Sequence, residues 1–502
     1  MSLSIETLLN PTVYNHPVGK IKLLETHISW IVLTGEFAYK IKKPVNYGFL
    51  DFSTLQKRQH YCAEEVRLNR RMAKQLYLDV VAIGGSAQQP VIKNKNAGDA
   101  FEYAVKMRQF PQSAKLDERL NAGKLTQQHM HAIAQRVADF HSTVDVATSA
   151  TVYGKPTTVY HPIAENFTLI HGNLPDRTLM PALQAIQHWS EEEFKRLQAT
   201  IRQRKQQGFV RECHGDLHLR NMLWFKGEPL AFDCIEFNPE LRWIDVISDI
   251  AFLVMDLQDR QAAELASYFL NSYLEFTGDY AGLKLLPFYA CYRAMVRAKV
   301  NALRLQQADI SVTEKQQAIQ ELTSYINLAK QIIKPTPVKL SIMRGVSASG
   351  KSTISGQMIA APRTIRIRSD VERKRLFNKS RQENISSGIH SGYYSPEASA
   401  QTYQKLLQLA QQILQAGYSV IVDAAFLKVE QRQPFQQLAQ QLKLPYEIIE
   451  VRAPEALLRQ RIINRENDVS DADLKVLEHQ LANWQALQEN EKKFVTRINT
   501  AT

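Results

Sequence analysis

The stretch GVSASGKS at residues 345–352 constrains the fold of this chain more than any other. It fits the pattern G-x-x-x-x-G-K-[ST] and follows LSIMR, an apolar run that is typical of a buried strand. A loop of this kind binds phosphate where a strand passes into the first turn of a helix, because its backbone N–H groups and the helix dipole both attract the anion. The stretch therefore predicts an α/β sheet around residue 345 with a site for nucleotide phosphates.

A role is expected for each position of this loop. Gly345 and Gly350 permit its tight path, and Lys351 would reach the terminal phosphates. Ser352 would bind the Mg²⁺ that accompanies the nucleotide, which we expect to be ATP, or GTP in its place. The other residues expected to surround the phosphates are Ser347, Ala348, Ser349 and Thr353.

The chain after this loop alternates between strands and helices. TIRIRSD, YSVIVDA and YEIIEVRA are typical of strands, and the stretches 397–416 and 429–443 between them are typical of helices. Strands separated by helices favour a parallel sheet. Asp370 at the end of TIRIRSD would take the proton of an acceptor hydroxyl, and Arg373 would bind an anionic acceptor or the transferred phosphoryl group.

The pair Asp370 and Arg373 resembles a motif of small P-loop kinases. A D-x-x-R pair after a phosphate loop is similar to that of polynucleotide kinases and of the zeta-toxin-like and gluconate-kinase-like group. By the same resemblance, Asp423 at the end of SVIVD looks like the carboxylate that acts on the metal ion. The stretch RAPEALLRQRIINREND then looks like a lid helix, whose arginines would clamp the phosphates through one or two of Arg459, Arg461 and Arg465.

A second constellation lies in HGDLHLRN, residues 214–221. His214, Asp216 and Asn221 form the pattern H-x-D-x-x-x-x-N, and Asp233 follows an apolar run further along the chain. Phosphoryl transfer explains this spacing, because one carboxylate must orient the acceptor hydroxyl while an amide and a second carboxylate hold Mg²⁺. Asp216 is the expected catalytic base, and Asn221 and Asp233 are the expected metal ligands.

This loop resembles the catalytic loop of the aminoglycoside phosphotransferases, relatives of the eukaryotic-type protein kinases. The resemblance implies that an earlier strand supplies a lysine for the phosphates and that the next helix supplies a glutamate to orient it. In FAYKIKK, Lys40 and Lys42 point to the same face of a strand, so the pattern does not choose between them. We expect Lys40 first and Lys42 second. In AEEVRLN we expect Glu65 rather than Glu64.

Two prolines in KPTPVK, residues 334–339, mark a boundary between the two constellations. We expect an aminoglycoside-phosphotransferase-like kinase domain over 1–334, with a small lobe of about 1–110 and a large lobe of about 111–334. A P-loop kinase domain is expected over 335–502. The predicted fold class is an α+β bilobal protein-kinase-like domain followed by an α/β P-loop domain with a parallel sheet.

The composition indicates which kinds of partner and which cellular compartment to expect. The 502 residues carry a formal net charge of +12, which favours anionic ligands, and their basic residues are scattered rather than gathered in a nucleic-acid-binding tract. Four cysteines without CxxC spacing suit a reducing compartment, and no apolar run approaches the length of a membrane span. We expect a cytoplasmic protein with a small-molecule acceptor and no membrane partner; nucleic acid is the less favoured partner, and the oligomeric state is not indicated.

The two constellations together lead to three hypotheses on function. The tandem resembles bacterial fusions of an aminoglycoside-phosphotransferase-like domain with a zeta-toxin-like domain, which implies a bifunctional, ATP-dependent phosphotransferase. The leading hypothesis is phosphorylation of a hydroxyl group on a small metabolite such as a sugar, an aminocyclitol or a nucleotide sugar. One alternative is a polynucleotide 5′-hydroxyl kinase that acts on RNA or DNA. The other is one active kinase domain regulated by nucleotide binding in its neighbour.

Overall fold

The computed structural model describes residues 3–48, 50–307, 310–377, 395–464 and 473–501. In these residues the strands are, in chain order, β1 (Lys22–Glu25), β2 (Ser29–Leu33), β3 (Phe37–Lys42), β4 (Tyr77–Gly85), β5 (Pro90–Asn94), β6 (Glu102–Arg108), β7 (Val210–Glu212), β8 (Met222–Phe225), β9 (Glu228–Ala231), β10 (Trp243–Asp245), β11 (Leu340–Arg344), β12 (Thr364–Arg368), β13 (Ser419–Asp423), β14 (Tyr446–Arg452) and β15 (Val495–Asn499). The helices are α1 (Leu55–Ala73), α2 (Leu116–Asn121), α3 (Gln127–Thr143), α4 (Pro156–Asn173), α5 (Met180–Gln206), α6 (Val246–Asp259), α7 (Ala263–Thr277), α8 (Leu286–Arg304), α9 (Val312–Ile332), α10 (Lys351–Met358), α11 (Ser369–Leu376), α12 (Pro396–Gln415), α13 (Val429–Gln441), α14 (Glu455–Ile463), α15 (Leu474–Ala482) and α16 (Glu489–Lys492). Within the described ranges, none of these helices has both the length and the apolar character needed to span a membrane.

The elements form two compact units, each built from two stretches of the chain. The first unit contains Met1–Asp256 and Tyr292–Ile326, and the second contains Leu257–Cys291 and Asn327–Thr502. Helix α7 therefore packs with elements that follow it by many residues in the sequence. Each unit combines two separate stretches of the chain, so these units are not continuous domains of the kind expected from the sequence. The expected domains 1–334 and 335–502 therefore stay predictions.

A six-stranded antiparallel sheet forms the small lobe of the first unit, in the order β1-β2-β3-β6-β4-β5. Side chains alternate across β3: Ala38 belongs to the core that contains residues of α1, whereas Tyr39 and Ile41 belong to the core formed with the N-terminal residues. Lys40 and Lys42 have the same parity as Ala38 and so point toward α1. The pleat of the strand thus places both lysines on the helix side of the sheet.

Helix α1 brings an acid to that side of the sheet. Thr54 caps its first turn by accepting a hydrogen bond from the Lys57 N–H at 3.2 Å. Buried residues recur along the helix every three or four positions, at Cys62, Glu65, Val66, Asn69, Met72 and Ala73. Glu65 is fully buried in this face, so its charge must be balanced by the side chains of the sheet.

A hairpin in the large lobe returns the chain from Asn221 to Asp233. Strands β8 and β9 pair antiparallel, and the turn between them consists of Lys226 and Gly227. Their φ angles are 52° and 86°, the left-handed values that a two-residue hairpin turn requires. The hairpin therefore brings the second carboxylate, Asp233, back beside the loop at 214–221.

Five parallel strands form the sheet of the second unit, in the order β12-β13-β11-β14-β15. All five residues of β11 are buried, as expected for the central strand of a parallel sheet with helices on its faces. The phosphate loop follows this strand directly, and α10 begins at Lys351. The antiparallel lobe of the first unit and this parallel sheet confirm the predicted fold class.

Helix α7 covers the edge of the parallel sheet at β12. Asn271 donates from Nδ2 to the Thr364 carbonyl at 2.9 Å and accepts from the Arg366 N–H at 2.8 Å through Oδ1. One amide side chain thus satisfies the outward backbone groups of an edge strand, which otherwise invite pairing with another chain. Glu275 adds an ion pair with Arg368 at 3.3 Å. Residues 263–277 are therefore part of the second unit's structure.

Candidate active sites

Lys40 lies at the centre of the first site, between two carboxylates from distant parts of the chain. Its Nζ is 2.8 Å from Glu65 Oε1 on α1 and 2.6 Å from Asp233 Oδ1 beyond the β8–β9 hairpin. Glu65 is buried, whereas the Asp233 side chain is 45% exposed. The first site therefore holds a lysine that bridges a buried orienting acid and an exposed acid.

Lys42 lies deeper in the same network. Its Nζ is 2.7 Å from Glu65 Oε2 and also forms an ion pair with Glu236. The Lys42 side chain is 1% exposed, against 12% for Lys40. Burial alone would raise the pKa of Glu65, but the charges of Lys40 and Lys42 lower it. Of the two lysines, Lys40 is the one that contacts Asp233, and Lys42 supports the network from behind.

Glu64, the alternative to Glu65, lies elsewhere. Its carboxylate pairs with Arg67 at 2.9 Å on the outer part of α1. The two neighbouring acids point in different directions because successive residues on a helix are about 100° apart.

Asp216 and Asn221 contact each other in the loop at 214–221. Asn221 donates from Nδ2 to Asp216 Oδ2 at 2.8 Å, and His218 Nε2 lies 3.3 Å from the same oxygen. Burial by itself would raise the pKa of Asp216, but the charge of His218, its hydrogen bond and the charge of Arg297 together lower the pKa well below the usual range. The carboxylate therefore stays ionised, and it can accept a hydrogen bond from the hydroxyl group of an acceptor.

Two carboxylates of helix α6 bind backbone N–H groups of the loop at 214–221. Asp249 accepts hydrogen bonds from the backbone N–H groups of His214 at 3.1 Å and Gly215 at 2.8 Å, and Asp256 accepts from that of Leu219 at 2.9 Å. None of Asp249, Asp256 and Glu236 was predicted to act at the site. The sequence holds only weak indications of these residues: Asp249 and Asp256 are acids in a largely apolar helix, and Glu236 follows Asp233 by three positions.

Asp233 has a left-handed backbone conformation, with φ at 63°. Such a conformation is uncommon for residues with a Cβ, although Asp and Asn adopt it more often than the others. Here the Asp233 N–H donates to the Tyr77 hydroxyl at 3.1 Å, and the side chain meets Lys40. Tyr77, which the sequence did not single out, thus fixes the position of an expected metal ligand.

The second site is a cleft of about 1350 Å³ in the second unit. Ten of the residues predicted from the sequence line it, and they are Ser347, Ala348, Gly350, Lys351, Ser352, Thr353, Asp370, Arg373, Asp423 and Arg461. Gly345, Ser349 and Arg459 are not in its lining. The structure therefore brings the expected base, metal ligands and phosphate-binding residues to one cavity.

Glycine is required at both ends of the phosphate loop. A Cβ at Gly345 would lie 2.6 Å from the Val451 carbonyl oxygen, closer than real Cβ atoms approach. Gly350 has φ at 97°, a conformation that residues with a side chain rarely adopt. Between them, Lys351 Nζ donates to the Val346 carbonyl at 2.7 Å, within the loop itself. The loop path thus depends on the two glycines predicted to permit it.

The carboxylates of the second site lie on either side of the loop. Asp423 ends β13, and its Oδ2 accepts from the Ser355 hydroxyl at 2.9 Å, one helical turn beyond Ser352. Asp370 lies in the first turn of α11 rather than on the strand before it, and Arg373 NH1 is 3.4 Å from its Oδ1. The sequence expectation for Asp370 was a strand end, and the helix begins two residues earlier than that expectation assumed.

The arginines of the expected lid helix divide into two kinds. Arg461 donates from NH1 to the Ala348 carbonyl at 3.2 Å and from NH2 to the Thr500 carbonyl at 2.6 Å, so it contacts the phosphate loop. Arg459 pairs with Glu455 at 2.9 Å and Glu478 at 3.1 Å on the outside of the helix. Arg465 lies outside the described residues.

Two contacts to the phosphate loop were missed by sequence reasoning. Gln480 on α15 accepts from the Ser347 N–H at 2.6 Å, and the Thr500 hydroxyl donates to the Ser349 carbonyl at 2.8 Å. Neither residue belongs to a pattern, because both reach the loop from the C-terminal part of the chain.

Both sites offer the oxygen ligands that Mg²⁺ prefers. In the first site these are the Asp233 carboxylate and the Asn221 amide, whose Nδ2 is turned toward Asp216. In the second they are the Ser352 hydroxyl and the Asp423 carboxylate, which line the same cleft. The residues present thus fit a nucleotide accompanied by a divalent metal.

Two parts of the chain match different protein families. Residues 127–286 match the Phosphotransferase enzyme family, and residues 340–487 match an AAA domain. Uncharacterized proteins of Mycobacterium tuberculosis and Mycobacterium bovis are 29% identical to this chain over 464 residues, which is 92% of this chain and 90% of theirs.

Solved structures of kinases also resemble the chain. An amicoumacin kinase in complex with AMP-PNP, Ca²⁺ and Ami is 15% identical, with a TM-score of 0.42, and the match covers 66% of this chain and 93% of that one. A choline/ethanolamine kinase family protein from Mesorhizobium loti is 9% identical, with a TM-score of 0.38 over 63% of this chain and 94% of that one. With its two family matches, the chain is a phosphotransferase in which a domain of the Phosphotransferase enzyme family precedes a P-loop, kinase-like AAA domain.

Proposed function

We propose that this protein is a bifunctional kinase that uses Mg²⁺ and ATP, and that each of its two sites phosphorylates a hydroxyl group of a small metabolite. The acceptor class is a sugar, an aminocyclitol or a nucleotide sugar. Nucleotide use with a divalent metal follows from the kinase families that match the chain. The identity of the metal, the activity of both sites and the acceptor class are the proposed parts.

One observation carries the proposal for the first site: Lys40 Nζ lies 2.8 Å from Glu65 and 2.6 Å from Asp233. These residues come from a strand, a helix and a loop that are far apart in sequence, so chance proximity of surface charges does not explain the arrangement. Phosphoryl transfer depends on positioned charges more than on covalent chemistry of the protein, and a lysine between two acids is such an arrangement.

In the first site, Asp216 orients and deprotonates the acceptor hydroxyl, and its lowered pKa keeps it ionised at neutral pH. Asn221 holds Asp216 in place through its Nδ2 and offers its amide oxygen to the metal together with Asp233. Lys40 holds the nucleotide phosphates, and Glu65 keeps its ammonium group in position. Bound Mg-ATP supplies the phosphoryl group and neutralises its charge.

In the second site, Asp370 orients and deprotonates the acceptor hydroxyl, as Asp216 does in the first. Arg373 lies 3.4 Å from it and binds the acceptor or the transferred group. The loop between Gly345 and Lys351 surrounds the phosphates with backbone N–H groups, and Arg461 closes over them from α14.

The test is transfer of labelled phosphate from ATP to a metabolite extract, with products identified by mass spectrometry. Asp216→Asn and Asp370→Asn should each remove one set of labelled products, with a loss of about 100-fold or more in the affected transfer. If both single variants keep full activity toward every product, the assignment of the bases is wrong. If Asp216→Asn removes all products and Asp370→Asn none, the second unit is a nucleotide-binding regulator instead.

A polynucleotide 5′-hydroxyl kinase is the second candidate for the second unit. The contact between Asp370 and Arg373, with Arg368 also in the cleft lining, supports an anionic acceptor there. This candidate predicts RNA or DNA binding that weakens steeply with salt, because released counterions drive such binding. Transfer only to free small molecules, with no salt-dependent binding, would reject it.

A further inference from the structure

Gln480 is an amide side chain in the lining of the second cleft, and only one end of the amide is bound by the protein. Its Oε1 accepts a hydrogen bond from the Ser347 N–H of the phosphate loop at 2.6 Å. Because only the oxygen of an amide can accept from an N–H, this bond fixes which end faces the loop. Among the described residues, no group accepts a hydrogen bond from Nε2. The cleft therefore contains a hydrogen-bond donor that these residues leave for a ligand.

Apolar packing holds helix α15, which carries this amide, against the phosphate loop. Leu477 of α15 is fully buried in a cluster with Val346 of the loop and Leu427. The partly buried Ala348 and Leu481 pack against the same cluster. The amide is thus fixed both by its own bond to the loop and by the helix behind it. A donor that is already in place loses little conformational freedom when it binds a ligand.

The segment after Asp423 contacts both the start of the loop and the end of α15. The Gly345 N–H donates to the Ala425 carbonyl at 3.0 Å, and the Leu427 carbonyl accepts from the Gln485 N–H, just beyond α15, at 3.1 Å. Asp423 is the expected metal ligand, and the metal ion of such sites bridges the β- and γ-phosphates. The amide therefore lies on the side of the loop where the terminal phosphate is expected.

We infer that Gln480 Nε2 donates a hydrogen bond to the terminal phosphate of the nucleotide in the second site, and that this residue makes the site prefer a nucleoside triphosphate to a diphosphate. The inference rests on the proposed kinase activity of that site. N–H donors that are fixed where negative charge develops stabilise phosphoryl transfer. A hydrogen bond to a charged phosphate is also stronger than one between neutral groups.

The experiment uses the full chain with the Lys40→Met substitution, so that only the second site binds nucleotide. Titration calorimetry in the presence of Mg²⁺ gives the affinity for a non-hydrolysable ATP analogue and, separately, for ADP. Gln480→Leu should lower the affinity for the ATP analogue about 10-fold and the affinity for ADP less than about two-fold, because only the triphosphate carries the group that Nε2 binds.

Two further variants separate the donor from the support that the amide gives to the loop. Gln480→Glu keeps an oxygen for the Ser347 N–H but replaces the donor with negative charge, so the affinity for the ATP analogue should fall further, about 100-fold. Gln485→Leu is the matched control, because Gln485 Oε1 also accepts a backbone N–H, that of Val429 at 2.8 Å, but lies outside the lining of the cleft. It should leave the ratio of the two affinities unchanged.

Equal losses of the two affinities in Gln480→Leu would overturn the inference, because the amide would then only support the loop. Tighter binding of the ATP analogue by that variant would also overturn it, since the amide would then obstruct the phosphates. Both results leave the second nucleotide site standing. If the Lys40→Met chain binds neither nucleotide, the proposed function of the second site fails instead, and the inference fails with it.

Discussion

The two sites assemble their charges over very different distances along the chain. In the first site, Lys40 meets Asp233 across 193 residues, and Lys42 meets Glu236 across 194. In the second, Lys351 bonds to a carbonyl five residues before it, and Asp370 meets an arginine three residues after it. The first site is thus a product of tertiary packing, whereas much of the second is contained in a local strand-loop-helix.

This difference determines what each site tolerates. Ion pairs in the first site are partly or fully buried, so removing one partner leaves the other charge without compensation. The phosphate loop of the second site acts mainly through backbone N–H groups, which substitution of a side chain leaves in place unless it changes the loop path. The first site should therefore be sensitive to changes of charge, and the second to changes of backbone conformation and of the few side chains that reach the phosphates.

The largest effect is expected from removing the phosphate-binding lysine of either site. Lys40→Met and Lys351→Met should each lower the stoichiometry of a non-hydrolysable ATP analogue from two per chain to one, and should each reduce transfer at the affected site by about 100- to 1000-fold. Titration calorimetry measures the stoichiometry. Lys43→Met is the control, because Lys43 pairs with the exposed Glu25 outside the site. If the unmodified chain binds only one nucleotide, the chain does not have two nucleotide sites to compare.

A somewhat smaller effect is expected from the buried pair behind Lys40. Lys42→Met leaves Glu236 buried without a partner and should cost about 3–5 kcal/mol in the free energy of unfolding. The double variant Lys42→Met/Glu236→Leu replaces the pair with apolar side chains and should recover most of that loss. Urea unfolding followed by fluorescence measures both.

If the double variant is as unstable as Lys42→Met alone, the loss in Lys42→Met does not come from leaving Glu236 buried without a partner. Nucleotide binding by the double variant is a second measurement on the same pair. It should persist, because Lys40 still contacts Glu65 and Asp233.

The contrast between the sites also explains what the sequence could predict. The pattern at 345–352 specifies a strand, a loop and a helix by itself, and the structure has all three where expected. The spacing of Asp216, Asn221 and Asp233 was equally readable, because a short loop and a tight hairpin connect them. Glu236, Asp256 and Tyr77 were not readable, because their partners lie on other elements and no local spacing records such contacts.

Ambiguities left by the sequence were those of side-chain direction. Lys40 and Lys42 share one face of a strand, so parity could not separate them, and both do contact Glu65. What separates them is burial and the second partner: Lys40 is 12% exposed and contacts Asp233, whereas Lys42 is 1% exposed and contacts Glu236. The edge of the parallel sheet gives a similar case, since no pattern in α7 indicates that Asn271 binds the backbone of β12.

Glycine positions give the third prediction. Gly215 has φ at 86°, and a Cβ there would lie 2.7 Å from the Leu241 carbonyl oxygen. Gly215→Ala should therefore cost about 2–3 kcal/mol in unfolding free energy, from backbone strain and a clash with backbone together. Gly227 has the same φ with nothing within 4 Å, so Gly227→Ala should show the strain alone, at about 1 kcal/mol.

Equal costs for the two alanine variants would show that the loop at 214–221 moves freely enough to relieve the contact. In that case the backbone bonds from Asp249 would not hold the loop as tightly as the 2.8 Å distance from the Gly215 N–H indicates.

The smallest effect separates two arginines of α14 that the sequence could not rank. They are two positions apart, which places them about 200° apart around a helix, so they cannot both face the loop. Arg461→Ala removes contacts to Ala348 and Thr500 and should weaken nucleotide binding at the second site about 10-fold, measured in a Lys40→Met background. Arg459→Ala should change it less than about two-fold, because its ion pairs with Glu455 and Glu478 are exposed. Should Arg459→Ala have the larger effect, α14 must turn when nucleotide binds, and the second site would then depend on a rearrangement rather than on the local geometry that distinguishes it from the first.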